Sequence, residues 1–190
     1  MALDPEAALA AIRAKTKTAP AVAIVLGSGL GRLADEVTAA TRIPYADIPG
    51  WERSTAPGHS GELVVGMLAG KPVAVMRGRL HYYEGYDMAS IAFPVRVFKA
   101  WGVDTVILGC THYPLIRPLL RRVVPLSVEI VDSAESTSAK VVELLGASGA
   151  QGASGDLRCY ATDSVEKFRR LGSKFLGCPI EKIELVDIEK

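Results

Sequence analysis

The chain has 190 residues, near the upper end of the ~100–200 that one domain usually takes, which predicts a single compact domain. Its 22 basic and 21 acidic residues nearly cancel, and no basic stripe with interleaved aromatics is present, so nucleic acid and anionic membranes are not expected as partners. No apolar run approaches the ~20 residues that span a bilayer, and the N-terminus is acidic where a signal peptide is basic. We therefore expect a cytoplasmic protein that binds small neutral or anionic ligands.

The three cysteines are odd in number and free of any Cys-x-x-Cys spacing; they are Cys110, Cys159 and Cys178. This pattern argues against a disulfide framework and against a zinc knuckle. We expect reduced thiols, no bound metal, and no cofactor apart from phosphate as a ligand or co-substrate.

The first hundred residues begin with a predicted helix and a buried strand. Asp4 and Pro5 start a helix that runs to about Lys17, because aspartate caps free amides and proline suits the first helical position. Residues 21–26 are an apolar run typical of a strand buried on both faces, and a glycine loop and a helix are expected after it. The other predicted elements of this half are mainly loop over 38–58, a hairpin of strands 62–68 and 72–77, and a helix over 88–101.

From residue 103 onward the predicted strands and helices alternate, as is typical of parallel βαβ units. A Gly/Ala/Ser-rich stretch over 146–155 is interpreted as a surface loop rather than a linker between domains. We predict one α/β domain over 1–190, a three-layer αβα sandwich whose mostly parallel central sheet becomes mixed through the N-terminal hairpin. The strands are expected over 104–108, 128–131, 157–161 and 183–186, and the helices over 115–123, 134–145 and 165–176.

Two motifs in the first half suggest a phosphate site. The glycine loop Gly27-Ser28-Gly29-Leu30-Gly31 offers bare amides, a hydroxyl and a following helix N-terminus, which attract phosphate oxygens. The alternative is that its glycines only make a tight turn, and the dinucleotide fingerprint fails because Arg32 replaces its third glycine.

The second motif, residues 78–85, supplies Arg79, whose guanidinium can hold phosphate through two parallel hydrogen bonds, and His81, which can donate a third. Alternatively, Arg79 and Glu84 form a solvated ion pair and His81 is an ordinary loop histidine.

Together these stretches resemble the trimeric class of purine nucleoside phosphorylases, from about Val22 to Val106. The matching segments are 25–31, 57–64 and 76–85. The resemblance implies that Ser28, Arg79 and His81 hold phosphate, that Tyr83 touches the ribose, and that His59 lies near the sugar. Phosphate would then attack the anomeric carbon as the purine leaves.

The resemblance stops after strand 104–108. The family's Asn-Ala-Ala-Gly-Gly turn belongs there, but Gly109-Cys110-Thr111-His112 follows instead. The later family segments that hold the purine ring have no counterpart in this sequence, so the phosphorylase site is expected to be incomplete.

A thiol motif occupies this position. Cys110 comes directly after a buried strand and before a helix, where amide dipoles and the imidazole of His112 favour the thiolate. The alternative is an inert core cysteine, which is how we interpret Cys159 and Cys178.

This second half resembles the C-terminal half of glutamate racemases, through 108–115, 131–135 and 160–164. That cofactor-independent family uses two cysteines on opposite faces of the substrate α-carbon. The resemblance implies that Cys110 is the second thiol, that Thr111 contacts substrate and that His112 assists. The half with the first thiol is absent.

The two resemblances meet within residues 102–108, a strand that suits both families. We therefore favour an engineered chimera of a phosphorylase-like portion, 1–106, and a racemase-like portion, 107–190, that binds phosphate without efficient catalysis. The alternatives are a purine nucleoside phosphorylase, which is a glycosyltransferase, and a racemase-like thiol enzyme, which is an isomerase. Oligomeric state, and a natural or engineered origin, stay open.

Overall fold

A computed structural model of the chain describes residues 3–52, 61–146 and 156–188, apart from the side chain of Tyr83. The chain divides into two compact units, Met1–Leu144 and Leu145–Lys190. A mixed α/β architecture with a mostly parallel central sheet flanked by helices confirms the predicted fold class. Within the described ranges, no helix combines the length and the apolar character needed to cross a membrane.

The first unit carries most of the regular structure. The sheet contains β1 (Val22–Val25), β2 (Thr38–Pro44), β3 (Glu62–Leu68), β4 (Lys71–Arg77), β5 (Thr105–Leu108) and β6 (Glu129–Asp132). The helices are α1 (Pro5–Lys15), α2 (Met88–Trp101), α3 (Arg117–Val123) and α4 (Ser133–Leu145), whose last residue belongs to the second unit. Short 3-10 helices cover Gly31–Asp35, Tyr45–Asp47, Tyr82–Glu84 and Tyr113–Ile116.

The six strands follow the order β2-β3-β4-β1-β5-β6. Strands β4, β1, β5 and β6 are parallel, whereas β2, β3 and β4 are joined by antiparallel pairing. The hairpin expected over 62–68 and 72–77 is therefore what makes the sheet mixed. Its parallel part places the carboxyl ends of four neighbouring strands, β4, β1, β5 and β6, at one edge.

Two local expectations differ from the structure. Strand β2 occupies part of the stretch predicted as loop; it lies at the sheet edge and ends at Pro44, a position where a strand tolerates proline. The glycine loop leads into the 3-10 helix Gly31–Asp35 instead of an α-helix, because β2 already begins at Thr38.

The core of the first unit follows the alternation of the strands. On one face, Ala23, Val25 and alternate residues of β3 and β4 pack in the same cluster as apolar residues of α1 and α2. On the other face, Ile24 and Leu26 join a smaller cluster with Val64 and Val75. Both faces of β1 are thus buried, as its apolar sequence predicts.

The second unit contains β7 (Arg158–Ala161), α5 (Val165–Leu176) and β8 (Lys182–Leu185). The two strands pair in parallel and form a separate two-stranded sheet, whereas the predicted sandwich contained both in one structure. Charged residues such as Arg158 and Lys182 lie within these four-residue strands and are exposed, so neither strand suits burial on both faces. Gly172 makes room for Ile180, because a Cβ there would lie 2.8 Å from the Ile180 Cδ1.

Candidate functional site

The predicted motifs follow three strands that are neighbours in the sheet. Val25 of β1 lies beside Met76 of β4 and beside Leu108 of β5, and both pairings are parallel. Loops that follow the carboxyl ends of parallel strands share one edge of the sheet. The glycine loop, the turn after β4 and the Cys110 turn therefore come together.

The glycine loop and the Cys110 turn approach each other through their backbones. A Cβ on Gly27 would lie 2.2 Å from the Gly109 carbonyl oxygen, and a Cβ on Gly109 would lie 2.9 Å from the Val25 carbonyl oxygen. The Gly109 N–H donates to that same Val25 oxygen at 2.8 Å. Only glycine allows this contact at both positions without displacing backbone.

Arg79 connects the turn after β4 to the glycine loop. Its guanidinium donates from Nη1 to the Leu26 carbonyl at 3.1 Å and from Nη2 to the Ser28 hydroxyl at 3.2 Å. Arg79 is 4% exposed, so the solvated ion pair does not describe it, whereas Ser28 is exposed. A buried cation thus lies directly against an exposed hydroxyl of the predicted phosphate loop.

His81 is buried and held by Glu84. The imidazole Nδ1 lies 2.8 Å from Glu84 Oε1, which also accepts the His81 backbone N–H at 3.0 Å. Since a carboxylate accepts hydrogen bonds, Nδ1 carries the proton and Nε2 presents its lone pair. Burial lowers the pKa of His81, although the hydrogen bond to Glu84 acts in the opposite direction. The lowered pKa favours the neutral ring near pH 7.

Cys110 lies against the imidazole of His81. Its sulfur is 3.6 Å from His81 Nε2 and 4.0 Å from His112 Nδ1, and it accepts the His112 backbone N–H at 3.4 Å. The two imidazoles meet edge to face with centroids 5.3 Å apart. Residues from both motifs therefore form one cluster, with exposed Thr111 beside it.

The burial of Cys110 bears on the expected thiol reactivity. Cys110 is 0% exposed and belongs to the hydrophobic core, whereas Cys178 is exposed. Attack on a dissolved reagent requires access to the sulfur as well as thiolate character. The structure thus favours the core interpretation for alkylation, and a catalytic role for Cys110 stays a prediction.

Two tyrosines that the sequence reasoning missed hold the backbone around Arg79. Tyr45 donates its hydroxyl to the Gly78 carbonyl at 2.7 Å, and Tyr113 donates to the Leu80 carbonyl at 3.3 Å. Burial raises the pKa of each phenol above its ordinary value. In the sequence, each of these tyrosines lies beside a proline and near apolar residues. That pattern could have indicated a buried tyrosine, and a buried tyrosine hydroxyl needs a hydrogen-bond acceptor.

Two predicted substrate contacts cannot be placed by their side chains. His59 lies outside the described residues. Tyr83 lies in the 3-10 helix Tyr82–Glu84, but its side chain is outside the described part of the structure.

The second unit has a cavity of its own, about 430 Å³ in volume, between residues 160–164 and α5. Asp163, Ser164 and Lys167 give it polar groups, and Phe168 and Phe175 give it apolar ones. Its lining includes the segment that resembles racemases.

Comparison with known proteins finds relatives in two families. A family model described as Phosphorylase superfamily matches residues 21–111. Purine nucleoside phosphorylase 1 of Geobacillus stearothermophilus is 53% identical over 97 residues, which are 51% of this chain and 35% of that protein. Glutamate racemase of Koribacter versatilis (strain Ellin345) is 50% identical over 109 residues, with 45% of this chain and 38% of that protein covered.

Among solved structures, isoform 2 of purine nucleoside phosphorylase from Schistosoma mansoni, in complex with cytosine and ribose-1-phosphate, is similar with a TM-score of 0.52. The identity is 39%, and the match covers 55% of this chain and 36% of that chain. The chain spans little more than a third of the length of these relatives. The residues that match the family model, 21–111, include the glycine loop and the Arg79 turn.

Proposed function

We propose that the chain binds inorganic phosphate between Ser28, Arg79 and His81 and uses it in the phosphorolysis of purine nucleosides. The observation that carries the proposal is the contact of 3.2 Å between Arg79 Nη2 and Ser28 Oγ, which joins residues 51 positions apart. The similarity to phosphorylases over residues 21–111 supports the same function.

Each of the three side chains has a role that follows from its environment. The buried guanidinium of Arg79 offsets phosphate charge with little competition from water. Ser28 lies at the exposed side, where an anion can enter. The Nε2 lone pair of His81 can accept the proton of a phosphate hydroxyl, because Nδ1 is directed to Glu84.

In the proposed reaction, a phosphate oxygen forms a bond to the anomeric carbon while the glycosidic C–N bond breaks. The bond electrons leave with the purine, which then takes a proton. Tyr83 and His59 are the residues we assign to the sugar side. We expect slow turnover, because groups that position the base are lacking and positioning supplies up to ~7–11 kcal/mol of barrier lowering.

We propose a fusion within residues 102–108, with the racemase-like sequence following it. The racemase relative, which covers 45% of this chain, supports this idea, as does the Cys110–His112 cluster. A second candidate function is therefore thiol-dependent exchange of the glutamate α-proton. A cytoplasmic location agrees with either function.

Arg79→Lys tests the first proposal, because lysine keeps the charge but lacks the planar fork that reaches both Leu26 and Ser28. We expect phosphate affinity, measured by calorimetry, to fall about 10–100-fold, the equivalent of ~1.5–3 kcal/mol for hydrogen bonds to a charged group. Arg77→Lys is the matched control. Arg77 lies two positions before Arg79 in the sequence, and its guanidinium pairs with Asp35 and Glu62. It should leave phosphate affinity within about twofold, as surface substitutions usually do.

Inosine phosphorolysis and glutamate α-deuteration then separate the outcomes. A rate that depends on Arg79 supports phosphorolysis, whereas phosphate binding without turnover supports only the half-site of a chimera. Exchange that depends on Cys110 selects the thiol function. If Arg79→Lys binds phosphate as tightly as the Arg77→Lys control does, the proposed phosphate site is contradicted.

A further inference from the structure

Three metal-ligating atoms from two distant segments converge beside the proposed phosphate site. His81 Nε2, Cys110 Sγ and His112 Nδ1 all lie within 4.8 Å of one another. His81 follows β4, while Cys110 and His112 follow β5, and these strands are both neighbours of β1. The cluster exists because the fold aligns these two loops.

The two sulfur–nitrogen distances of this cluster are close to what a zinc ion requires. With Zn–S bonds of about 2.3 Å and Zn–N bonds of about 2.0–2.1 Å, tetrahedral geometry separates sulfur from nitrogen by about 3.5 Å. The Cys110 sulfur lies 3.6 Å from His81 Nε2 and 4.0 Å from His112 Nδ1. The ligand atoms all lie within 4.8 Å, whereas a tetrahedral zinc site separates its two nitrogens by about 3.3–3.4 Å. His112, which is exposed, must therefore rotate toward the other two ligands, which are buried.

The surroundings of His81 suit a metal ligand. Metal-binding histidines commonly donate their second ring nitrogen to a carboxylate, which fixes the tautomer and the ring orientation. Glu84 does this at 2.8 Å, with its side chain 4% exposed. The Cys110 thiolate and the Glu84 carboxylate together match the charge of a divalent cation, and the nearby guanidinium of Arg79 adds one positive charge.

We propose that His81, Cys110 and His112 form a zinc site with three protein ligands and a fourth position for water or an anion. Three nitrogen and sulfur ligands with one open position are typical of catalytic zinc sites, whereas structural sites take four protein ligands. The proposal does not depend on phosphate binding. It assigns the Nε2 lone pair of His81 to the metal, so zinc and a direct His81–phosphate contact exclude each other.

Cobalt(II) is the first probe, because it replaces zinc and reports its ligands by absorption. Titration of the full chain in a phosphate-free buffer should give one bound ion, a sulfur-to-cobalt charge-transfer band and intense visible bands of a tetrahedral ion. Zinc should displace the cobalt stoichiometrically. A titration without the charge-transfer band would overturn the site.

Variants identify the ligands. Cys110→Ser should abolish the charge-transfer band, and His112→Ala, at an exposed position, should weaken zinc by more than the ~10–100-fold that losing an outer-shell partner costs. Glu84→Gln should weaken it within that range. Cys178→Ser is the matched control and should change nothing, since Cys178 is an exposed cysteine of the second unit.

The outcomes separate clearly when folding is monitored by circular dichroism. Weakened cobalt and zinc binding in folded His112→Ala, with the control unaffected, supports the site even if Cys110→Ser fails to fold. Cobalt binding that survives His112→Ala unchanged, or that is lost in Cys178→Ser, contradicts it. Phosphate binding with no zinc affinity would refute this inference alone and leave the phosphate proposal intact.

Discussion

Replacing Gly27 by alanine should separate the two loops that build the site. The new Cβ would lie 2.2 Å from the Gly109 carbonyl oxygen, more than 1 Å closer than the ~3.5 Å at which non-bonded heavy atoms pack comfortably. Both contacting groups belong to the backbone, so neither can rotate away. Either β1 or β5 must shift, and the glycine loop must move relative to Cys110.

The expected cost follows from this overlap. Overpacking of a well-packed interior destabilises by about 1–3 kcal/mol. With a urea dependence of about 2 kcal/mol per molar, the unfolding midpoint should fall by about 0.5–1.5 M. Gly31→Ala is the matched control, because its Cβ would meet only the Arg77 side chain at 3.6 Å. It should be neutral or stabilise by about 0.4–1 kcal/mol, since alanine restricts the unfolded chain.

The measurement is urea unfolding followed by tryptophan fluorescence, because Trp51 and Trp101 are both buried in the first unit. Phosphate affinity of Gly27→Ala should fall along with its midpoint. If Gly27→Ala and Gly31→Ala unfold at the same urea concentration as the unmodified chain, the close approach of the loops is refuted.

Iodoacetamide should modify Cys178 before Cys159 and Cys110 in the folded chain, because Cys178 is exposed and Cys110 is fully buried. Mass spectrometry of samples taken at intervals gives the order of labelling, and early labelling of Cys110 would contradict its burial. Because the pKa values of Tyr45 and Tyr113 are raised in the folded chain, the unfolded chain loses these phenolic protons first as pH rises above about 10. The free energy of unfolding should therefore fall by up to about 1.4 kcal/mol per pH unit for each tyrosine. Tyr45→Phe should reduce that slope in urea titrations at several pH values, and an unchanged slope would show that Tyr45 ionises freely when folded.

The contact between Ser28 and Arg79 shows how far the sequence could predict the site. The resemblance to phosphorylases implied that both residues belong to one site, and they do meet, at the carboxyl ends of neighbouring parallel strands. The contact with Leu26 and the support from Tyr45 could not be inferred, since they depend on which backbone groups the fold leaves uncovered.

The Cys110 cluster shows where such reasoning fails. Local sequence indicates a thiol after a strand, but the residues that cover it come from elsewhere in the chain, and they bury it completely. Rules for metal sites look for ligands a few positions apart, whereas His81 and Cys110 are separated by 29 positions. Likewise, an alternating strand–helix pattern over 157–186 did not reveal that the charged strands β7 and β8 pair in a separate sheet.

The facing glycines, Gly27 and Gly109, also determine how closely the segment after β5 approaches β1. A Cβ at position 109 would lie 2.9 Å from the Val25 carbonyl oxygen, so glycine there lets the segment after β5 lie directly against β1 without displacing backbone. Past that residue the sheet only requires a parallel neighbour for β5, which β6 supplies. Two local features therefore join the segment after β5 to the sheet: the missing side chain at Gly109, which allows close contact with β1, and the parallel pairing of β6 with β5.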